Sequence, residues 1–149
     1  MNCEDEDKIF AVKPATFETE ALEVFRYQAK ENLVYRRFLE VLKTDISAVN
    51  RLARIPFLPI SMFKSSEVTT GSFEPEVIFE SSGTTGMVTS RHLIKKAGVY
   101  RESFRNTFRQ FYGEPSDWCI IGLLPSYLER STSSLVYMVD DLIKLSGHR

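Results

Sequence analysis

Residues 77–95 read VIFESSGTTGMVTSRHLIK. Within this stretch, Val77 to Glu80 and Arg91 to Lys95 are short runs that favour β-strands. The residues between them are mostly small and hydroxyl-bearing, which favours a turn. The stretch therefore predicts a β-hairpin with an ordered tip. A Walker phosphate loop differs, because there a helix follows the loop directly.

The tip of this hairpin is predicted to bind phosphate. Its six residues provide four hydroxyl groups and two glycines: Ser81, Ser82, Gly83, Thr84, Thr85 and Gly86. Glycine lets backbone N–H groups approach an anion closely, and hydroxyls donate further hydrogen bonds. Nests of backbone N–H groups form anion-binding concavities. The alternative for the same residues is a flexible surface turn without a ligand.

The segment before the hairpin is predicted to be helical. Apolar residues recur at steps of three to five between Phe17 and Lys43, which predicts one amphipathic helix or two in succession. Asp45 or Ser47 is expected to cap a short helix that continues through Arg54. Two prolines within residues 55–60 predict an extended apolar connector.

Two further helices are predicted after the hairpin. Ala97 to Tyr112 is expected to be a helix that ends at Gly113, with four aromatic residues on one face: Tyr100, Phe104, Phe108 and Phe111. Ser131 or Thr132 is expected to open the last helix and Gly147 to close it. Its inward-facing residues are expected to be Leu135, Val136, Met138, Val139, Leu142 and Ile143.

The continuous apolar run from Trp118 to Leu124 predicts a strand buried on both faces, with Cys119 as a small buried residue. The order of elements then predicts an α/β fold, in which N-terminal helices precede a mixed sheet with covering helices. A length of 149 residues suits a single domain over residues 1–149.

Composition excludes several classes of protein. With 19 basic and 20 acidic residues the net charge is -1, so nucleic acid is not an expected partner. No run approaches the roughly 18 apolar residues of a membrane span. Two cysteines argue against a disulfide framework and favour a cytoplasmic location. No spacing of His and Cys suggests a metal site.

The run Ser81 to Gly86 resembles the phosphate loop of the adenylate-forming superfamily, which reads Ser/Thr-Ser-Gly-Thr-Thr-Gly after a short strand. Within that superfamily the chain is most similar to the acyl-protein synthetases of bacterial luminescence operons. Residues 55–60 (IPFLPI) and 124–130 (LPSYLER) carry this likeness, which spans about residues 17–147. The resemblance implies an enzyme that uses ATP and Mg²⁺ to convert a fatty acid into an acyl-adenylate. The acyl group would then pass to a protein thiol.

The resemblance assigns two more residues. The superfamily's usual Pro-Lys pair after the loop is missing, and residues 87–91 read MVTSR instead. Arg91 is therefore the candidate for the phosphate-facing cation, and the alternative is a solvent-pointing strand residue. Tyr127 falls where the superfamily has an aromatic residue or His that lines the acyl pocket. The alternative for Tyr127 is a core tyrosine.

Other candidates come from the residues alone. Arg101, Arg105 and Arg109 recur at four-residue steps, which suggests either a basic stripe for phosphate or a solvated helix face. His92 stands beside the loop as either a base or a structural residue.

The resemblance also implies groups that have no counterpart in these residues. They are an acidic residue for the ribose, an aromatic motif for the adenine, a mobile catalytic lysine and an acceptor cysteine. The chain is therefore expected to be an incomplete N-terminal portion that is inactive in isolation. Two alternatives stay open: an adenylate-forming ligase that passes an acyl or aryl group to CoA, and a noncatalytic α/β module that keeps the loop as a turn.

Overall fold

The chain divides into two units, Met1–Phe73 and Glu74–Arg149, in a computed structural model that describes residues 6–81, 89–123 and 132–148. One domain can contain more than one compact unit, so this division does not decide the number of domains. The assignment of residues 1–149 to a single domain therefore stays a prediction.

Unit 1 (Met1–Phe73) is helical. Its elements are α1 (Glu6–Phe10), α2 (Phe17–Glu31), α3 (Leu33–Val41), the 3-10 turns Ile46–Ala48 and Leu52–Arg54, and α4 (Met62–Ser65). The helical pattern predicted between Phe17 and Lys43 is confirmed as two successive helices, α2 and α3.

Asn32 separates α2 from α3. Its backbone is extended, with φ -100° and ψ 108°, and its side-chain oxygen accepts a hydrogen bond from the backbone N–H of Tyr35 at 3.0 Å. This is the usual N-cap geometry of a helix. The amide nitrogen of Asn32 donates to the Thr70 hydroxyl at 3.2 Å. One buried side chain therefore begins α3 and also binds the end of the unit.

The core of unit 1 lies where α2 and α3 meet. Each helix buries residues spaced three or four apart, and Val49 joins them; the set is Leu22, Phe25, Ala29, Tyr35, Leu39 and Val49. The rings of Phe25 and Tyr35 meet edge to face, with centroids 6.2 Å apart. This spacing is the amphipathic pattern expected from the sequence.

The helix predicted to run from Asp45 through Arg54 is wrong as a continuous element. Asp45 does cap a helical turn, because its carboxylate accepts hydrogen bonds from the hydroxyl and backbone N–H of Ser47. These bonds lower the pKa of Asp45. The chain then becomes extended at Val49, which is buried in the core, before the second turn at Leu52–Arg54. The helical structure is therefore interrupted at Val49.

Unit 2 (Glu74–Arg149) contains β1 (Val77–Glu80), β2 (Arg91–Ile94), α5 (Ala97–Tyr112), a 3-10 turn (Pro115–Asp117) and α6 (Ser134–Ser146). The two strands are antiparallel, with Val77 opposite Ile94 and Glu80 opposite Arg91. The strand pairing of the predicted hairpin is confirmed, and residues 82–88 of its tip lie outside the described residues.

Side chains and glycines set the ends of the two long helices. The Glu76 carboxylate accepts a hydrogen bond from the first backbone N–H of α5, that of Ala97, at 2.8 Å. Gly113 and Gly147 end α5 and α6 at φ 80° and 72°, a conformation that favours glycine. Ser133 caps α6, so the prediction of a cap at Thr132 is wrong, and Ser131 lies outside the described residues.

The strand predicted from Trp118 to Leu124 is wrong for residues 118–123, which have no regular structure. Cys119 is exposed, and Ile121 and Leu123 are 87% and 100% exposed. An apolar run becomes a buried strand only where neighbouring strands complete its hydrogen bonds. In the described parts of the chain the sheet has two antiparallel strands, so the mixed sheet is not observed there. The helix-rich mixture of α and β structure agrees with the prediction only in this coarser sense.

One residue of the predicted aromatic face of α5 and one predicted inward residue of α6 face solvent. Phe111 in the last turn of α5 is 71% exposed, whereas Phe104 on the same predicted face is buried. Leu135 in the first turn of α6 is also exposed, whereas Val136 is buried. Both exceptions lie at helix ends, where the packed stripe is narrower than the periodic pattern suggests. Across the described ranges, no helix combines the length and apolar character of a membrane span.

Replacing Tyr35 with phenylalanine tests a buried hydrogen bond of unit 1. The Tyr35 hydroxyl donates to the carbonyl oxygen of Pro56 at 2.6 Å and ties α3 to the connector. We expect Tyr35→Phe to lower the free energy of unfolding by about 1 kcal/mol. Urea unfolding followed by circular dichroism measures the change. Tyr112→Phe, at an exposed tyrosine, is the control and is expected to change stability by less than about 0.5 kcal/mol.

The same variant is expected to respond to alkaline pH. Burial raises the pKa of Tyr35 above its ordinary value of 10.0. The stabilising effect of the neutral phenol is therefore complete below that value and is lost as the pH rises through the folded-state pKa. We expect the stability difference between the wild type and Tyr35→Phe to narrow above about pH 10. A difference that stays constant would contradict a buried, neutral phenol.

Candidate functional site

Ser81 and Ser90 close the base of the predicted phosphate loop. The backbone N–H of Ser81 donates to the carbonyl oxygen of Ser90 at 3.0 Å. In return, the backbone N–H of Ser90 donates to the side-chain oxygen of Ser81 at 2.9 Å. We call this pair of bonds the loop neck. It extends the hairpin one step beyond Glu80 and Arg91 and brings the two ends of the loop together.

The Ser81 side chain has a structural role in the loop neck. Its hydroxyl oxygen stands in for a backbone acceptor and satisfies the N–H of Ser90, which is buried. The other predicted loop residues are Ser82, Gly83, Thr84, Thr85 and Gly86, and they lie outside the described residues. Their contact with phosphate stays a prediction.

The chain that enters α6 lies beside the start of the loop. The backbone N–H of Glu80 donates to the carbonyl oxygen of Thr132 at 2.9 Å. Because successive N–H groups of a strand point in opposite directions, this bond is on the edge of β1 that faces away from β2. Thr132 comes five residues after Tyr127, which itself lies outside the described residues. The role of Tyr127 in an acyl pocket stays a prediction.

Arg91 is opposite Glu80 at the same end of the hairpin. The Nε atom of Arg91 is 3.8 Å from Oε1 of Glu80, and the Arg91 side chain is half exposed. An exposed pair of this kind contributes about 0–1 kcal/mol to stability, so a stronger anion can displace the carboxylate. Arg91 thus lies next to the loop neck and is accessible to solvent. The binding of phosphate by Arg91 stays a prediction.

His92 contacts the buried side of the loop neck. Its Nε2 atom is 3.3 Å from the hydroxyl oxygen of Ser90, which is buried. This contact supports the structural interpretation of His92, because the imidazole is engaged with a neighbouring side chain. Within residues 6–81, 89–123 and 132–148, no group of three or more His, Cys, Asp and Glu side chains is arranged to hold a metal ion.

Phe79 anchors the hairpin to the helices. It is 5% exposed, and its ring centroid is 5.1 Å from that of Tyr100 on α5 and 5.4 Å from that of Tyr137 on α6. The Tyr100 ring also meets Phe104 edge to face, at 5.3 Å. Aromatic contacts of this geometry add about 0.5–1.5 kcal/mol each beyond the area they bury. The strand that leads into the loop is therefore held from both helices.

The arginines of α5 form neither a phosphate-binding stripe nor a fully solvated face. Arg101 donates to the Tyr137 hydroxyl at 2.6 Å, and Arg105 donates two hydrogen bonds to the Asp141 carboxylate at 2.7 and 2.8 Å. The bonds to Asp141 raise the pKa of Arg105. Two of the three cations therefore hold α6 against α5.

A matching pattern in α6 was the sequence signal for this contact. Tyr137 and Asp141 are four residues apart, as are their partners Arg101 and Arg105, and each bonded pair is separated by 36 residues. An equal offset means that α5 and α6 run in the same direction. The chain between them must then return along the length of the helices, as in α/β connections.

No protein-family model, curated protein or solved structure matches the chain. The resemblance to the adenylate-forming superfamily depends on the residues of the loop and its flanks, and it stays a prediction.

Replacing arginine with lysine distinguishes the buried pairing from an exposed one. Lysine cannot reproduce the two parallel hydrogen bonds of Arg105 to Asp141, whose side chain is largely buried. We expect Arg105→Lys to lower the free energy of unfolding by about 1–2 kcal/mol. Arg109→Lys is the matched control, because the pair of Arg109 with Glu114 is exposed, and its loss should be below about 0.5 kcal/mol.

Urea unfolding followed by the fluorescence of Trp118 compares the two variants, because this tryptophan belongs to unit 2. Equal losses in the two variants would contradict a structural role specific to Arg105.

Proposed function

We propose that the hairpin tip is the phosphate-binding loop of an ATP-dependent enzyme that activates a fatty acid and transfers the acyl group to a protein thiol. The observation that carries this proposal is the loop neck, which closes the SSGTTG run at the end of a hairpin with two hydrogen bonds between Ser81 and Ser90. A loop with fixed ends loses less conformational freedom when it binds a ligand.

The chemistry of the loop residues suits a polyphosphate. The hydroxyls of Ser82, Thr84 and Thr85 are neutral donors, and glycines 83 and 86 let the backbone N–H groups come close. Phosphate oxygens form strong, charge-assisted hydrogen bonds with such donors. Arg91, beside the loop neck, would supply one positive charge. This donor set suits the phosphates of ATP, and Mg²⁺ would neutralise part of their negative charge.

ATP would supply the adenylyl group that activates the carboxylate and the pyrophosphate that leaves. The residues of this chain would bind and orient the phosphates and stabilise the charge that grows on them as the bond to the α-phosphate breaks. Ser81 would act as a positioning residue, because its oxygen is used to hold Ser90.

Exchange of labelled pyrophosphate into ATP, measured on the complete gene product, tests the activity. Dependence of the exchange on tetradecanoate would support a fatty-acid substrate. A requirement for CoA in the transfer step would assign the protein to the acyl-CoA ligases instead. If no carboxylic acid supports exchange, the protein would instead be a noncatalytic module that keeps the loop as a turn.

Thr84→Val and Thr85→Val test the loop directly. Each variant replaces a hydroxyl with a methyl group and leaves the side-chain volume nearly constant. We expect each to slow the exchange by one to three orders of magnitude, which corresponds to a loss of about 1.4–4 kcal/mol of transition-state stabilisation. The control is Thr107→Val on α5, an exposed threonine whose hydroxyl donates to its own helix. Wild-type exchange in both loop variants would exclude the phosphate-binding role.

Ser81→Ala tests the loop neck. Without the hydroxyl, the backbone N–H of Ser90 loses its acceptor, and the ends of the loop are held by a single hydrogen bond. We expect KM for ATP to rise about three- to tenfold, the equivalent of about one hydrogen bond. Ser103→Ala, at an exposed serine of α5, is the control. An unchanged KM for ATP in Ser81→Ala would show that the neck does not position the loop.

A further inference from the structure

Unit 1 contains a large apolar cavity whose lining includes none of the residues assigned to the proposed reaction. Its volume is about 910 Å³, and α1, α2 and residues 52–68 supply its walls. Apolar residues make up most of the lining, among them Ile9, Val24, Phe57 and Phe63. This volume is at the upper end of the roughly 300–1,000 Å³ that is usual for small-molecule sites.

The cavity passes from a buried floor to an exposed rim. Phe25 and Tyr35 on the floor are buried, whereas Phe57 at the rim is 72% exposed. A ligand that covers Phe57 would remove apolar surface from water, which is favourable. A molecule with one apolar end on the floor and another end in water fits this gradient.

Two polar side chains of the floor, those of Asn32 and Tyr35, are already used within the protein. The Asn32 side chain binds the N–H of Tyr35 and the hydroxyl of Thr70, and the Tyr35 hydroxyl donates to Pro56. The floor is therefore suited to a chain of methylene groups rather than to a polar head group. A chain of 14 carbons needs about 400 Å³ if each carbon takes roughly the volume of a water molecule, so it fits inside.

The charge at the cavity excludes one class of head group. Glu20 is the charged side chain among the described residues that line the cavity, and none of those lining residues is Lys or Arg. A carboxylate ligand would meet a like charge there without a compensating cation. A hydroxyl or an amine can instead donate a hydrogen bond to Glu20.

We propose that this cavity binds the aliphatic chain of a single-chain amphiphile whose head group carries no negative charge, such as a long-chain alcohol. The head group lies at the rim near Glu20, and the chain covers Val24 and Phe57. The lining residues all belong to unit 1 and include none of the loop residues 81–91, so this proposal does not rest on the proposed adenylation site.

Displacement of the neutral dye Nile red from the whole chain tests the site. Tetradecanol is expected to displace the dye at micromolar concentration. Val24→Trp fills the cavity from a partly exposed position of α2 and is expected to weaken the binding of tetradecanol at least tenfold. Val41→Trp is the matched control, because Val41 is 80% exposed on α3 and does not line the cavity. The affinity of Val41→Trp for tetradecanol is expected to stay within twofold of that of the wild type.

Phe57→Ala is a second variant, which leaves the core unchanged. It is expected to weaken the binding of tetradecanol several-fold. Circular dichroism confirms that each variant is folded. Wild-type affinity for tetradecanol in both Val24→Trp and Phe57→Ala would overturn the proposal.

The choice of head group is tested with tetradecanoate, which has the same chain length and a negative charge. We expect it to bind several-fold more weakly than tetradecanol. Glu20→Gln is expected to reduce this difference, because the variant loses the negative charge and its amide oxygen still accepts a hydrogen bond from the alcohol. Tighter binding of tetradecanoate to the wild type would overturn the proposal. So would sedimentation that shows a dimer in the wild type and a monomer in Val24→Trp, because the cavity would then be a contact between copies.

Discussion

A two-stranded hairpin with four residues in each strand is marginally stable at best in water, and β1 with β2 is such a hairpin. Burial of Phe79 between Tyr100 and Tyr137 supplies the missing support. The same packing fixes the direction in which β1 enters the predicted phosphate loop. The position of the loop neck therefore depends on α5 and α6 rather than on the strands alone, and the pairing of Arg105 with Asp141 in turn holds these two helices together.

The elements that were predicted from sequence are those with local physical causes. Strand propensity over Val77–Glu80, aromatic spacing in α5 and glycine at Gly113 and Gly147 act over a few residues. The strand, the helix and the two glycine ends agree with the structure, and the exception is the exposed Phe111 of the aromatic face. The break between α2 and α3 was only an open alternative. It depends on Asn32, whose second partner, Thr70, is 38 residues away. A helical pattern contains no information about such a distant partner.

The errors have the opposite origin. The apolar run that begins at Trp118 was interpreted from its composition, but a strand also needs neighbours, and the described sheet offers it none. The candidate site was predicted as a set of ligand-binding hydroxyls. The sequence did not indicate that the Ser81 oxygen would instead accept the N–H of Ser90, because the register of the hairpin decides that contact. Ser82 to Gly86 and Tyr127 lie outside the described residues, so their contacts rest on the motif alone.

The Glu76 cap of α5 has a consequence for how the sequence of this hairpin can change in evolution. Glu76 binds the N–H of Ala97, and Ser81 binds Ser90 further out, so both sets of contacts are made by residues outside the segment 82–89. The entropy needed to close a loop grows only slowly with its length. Insertions and deletions in the tip can therefore accumulate while the helices keep their positions. Any ligand preference that the tip has can therefore change in evolution faster than the structure that carries it.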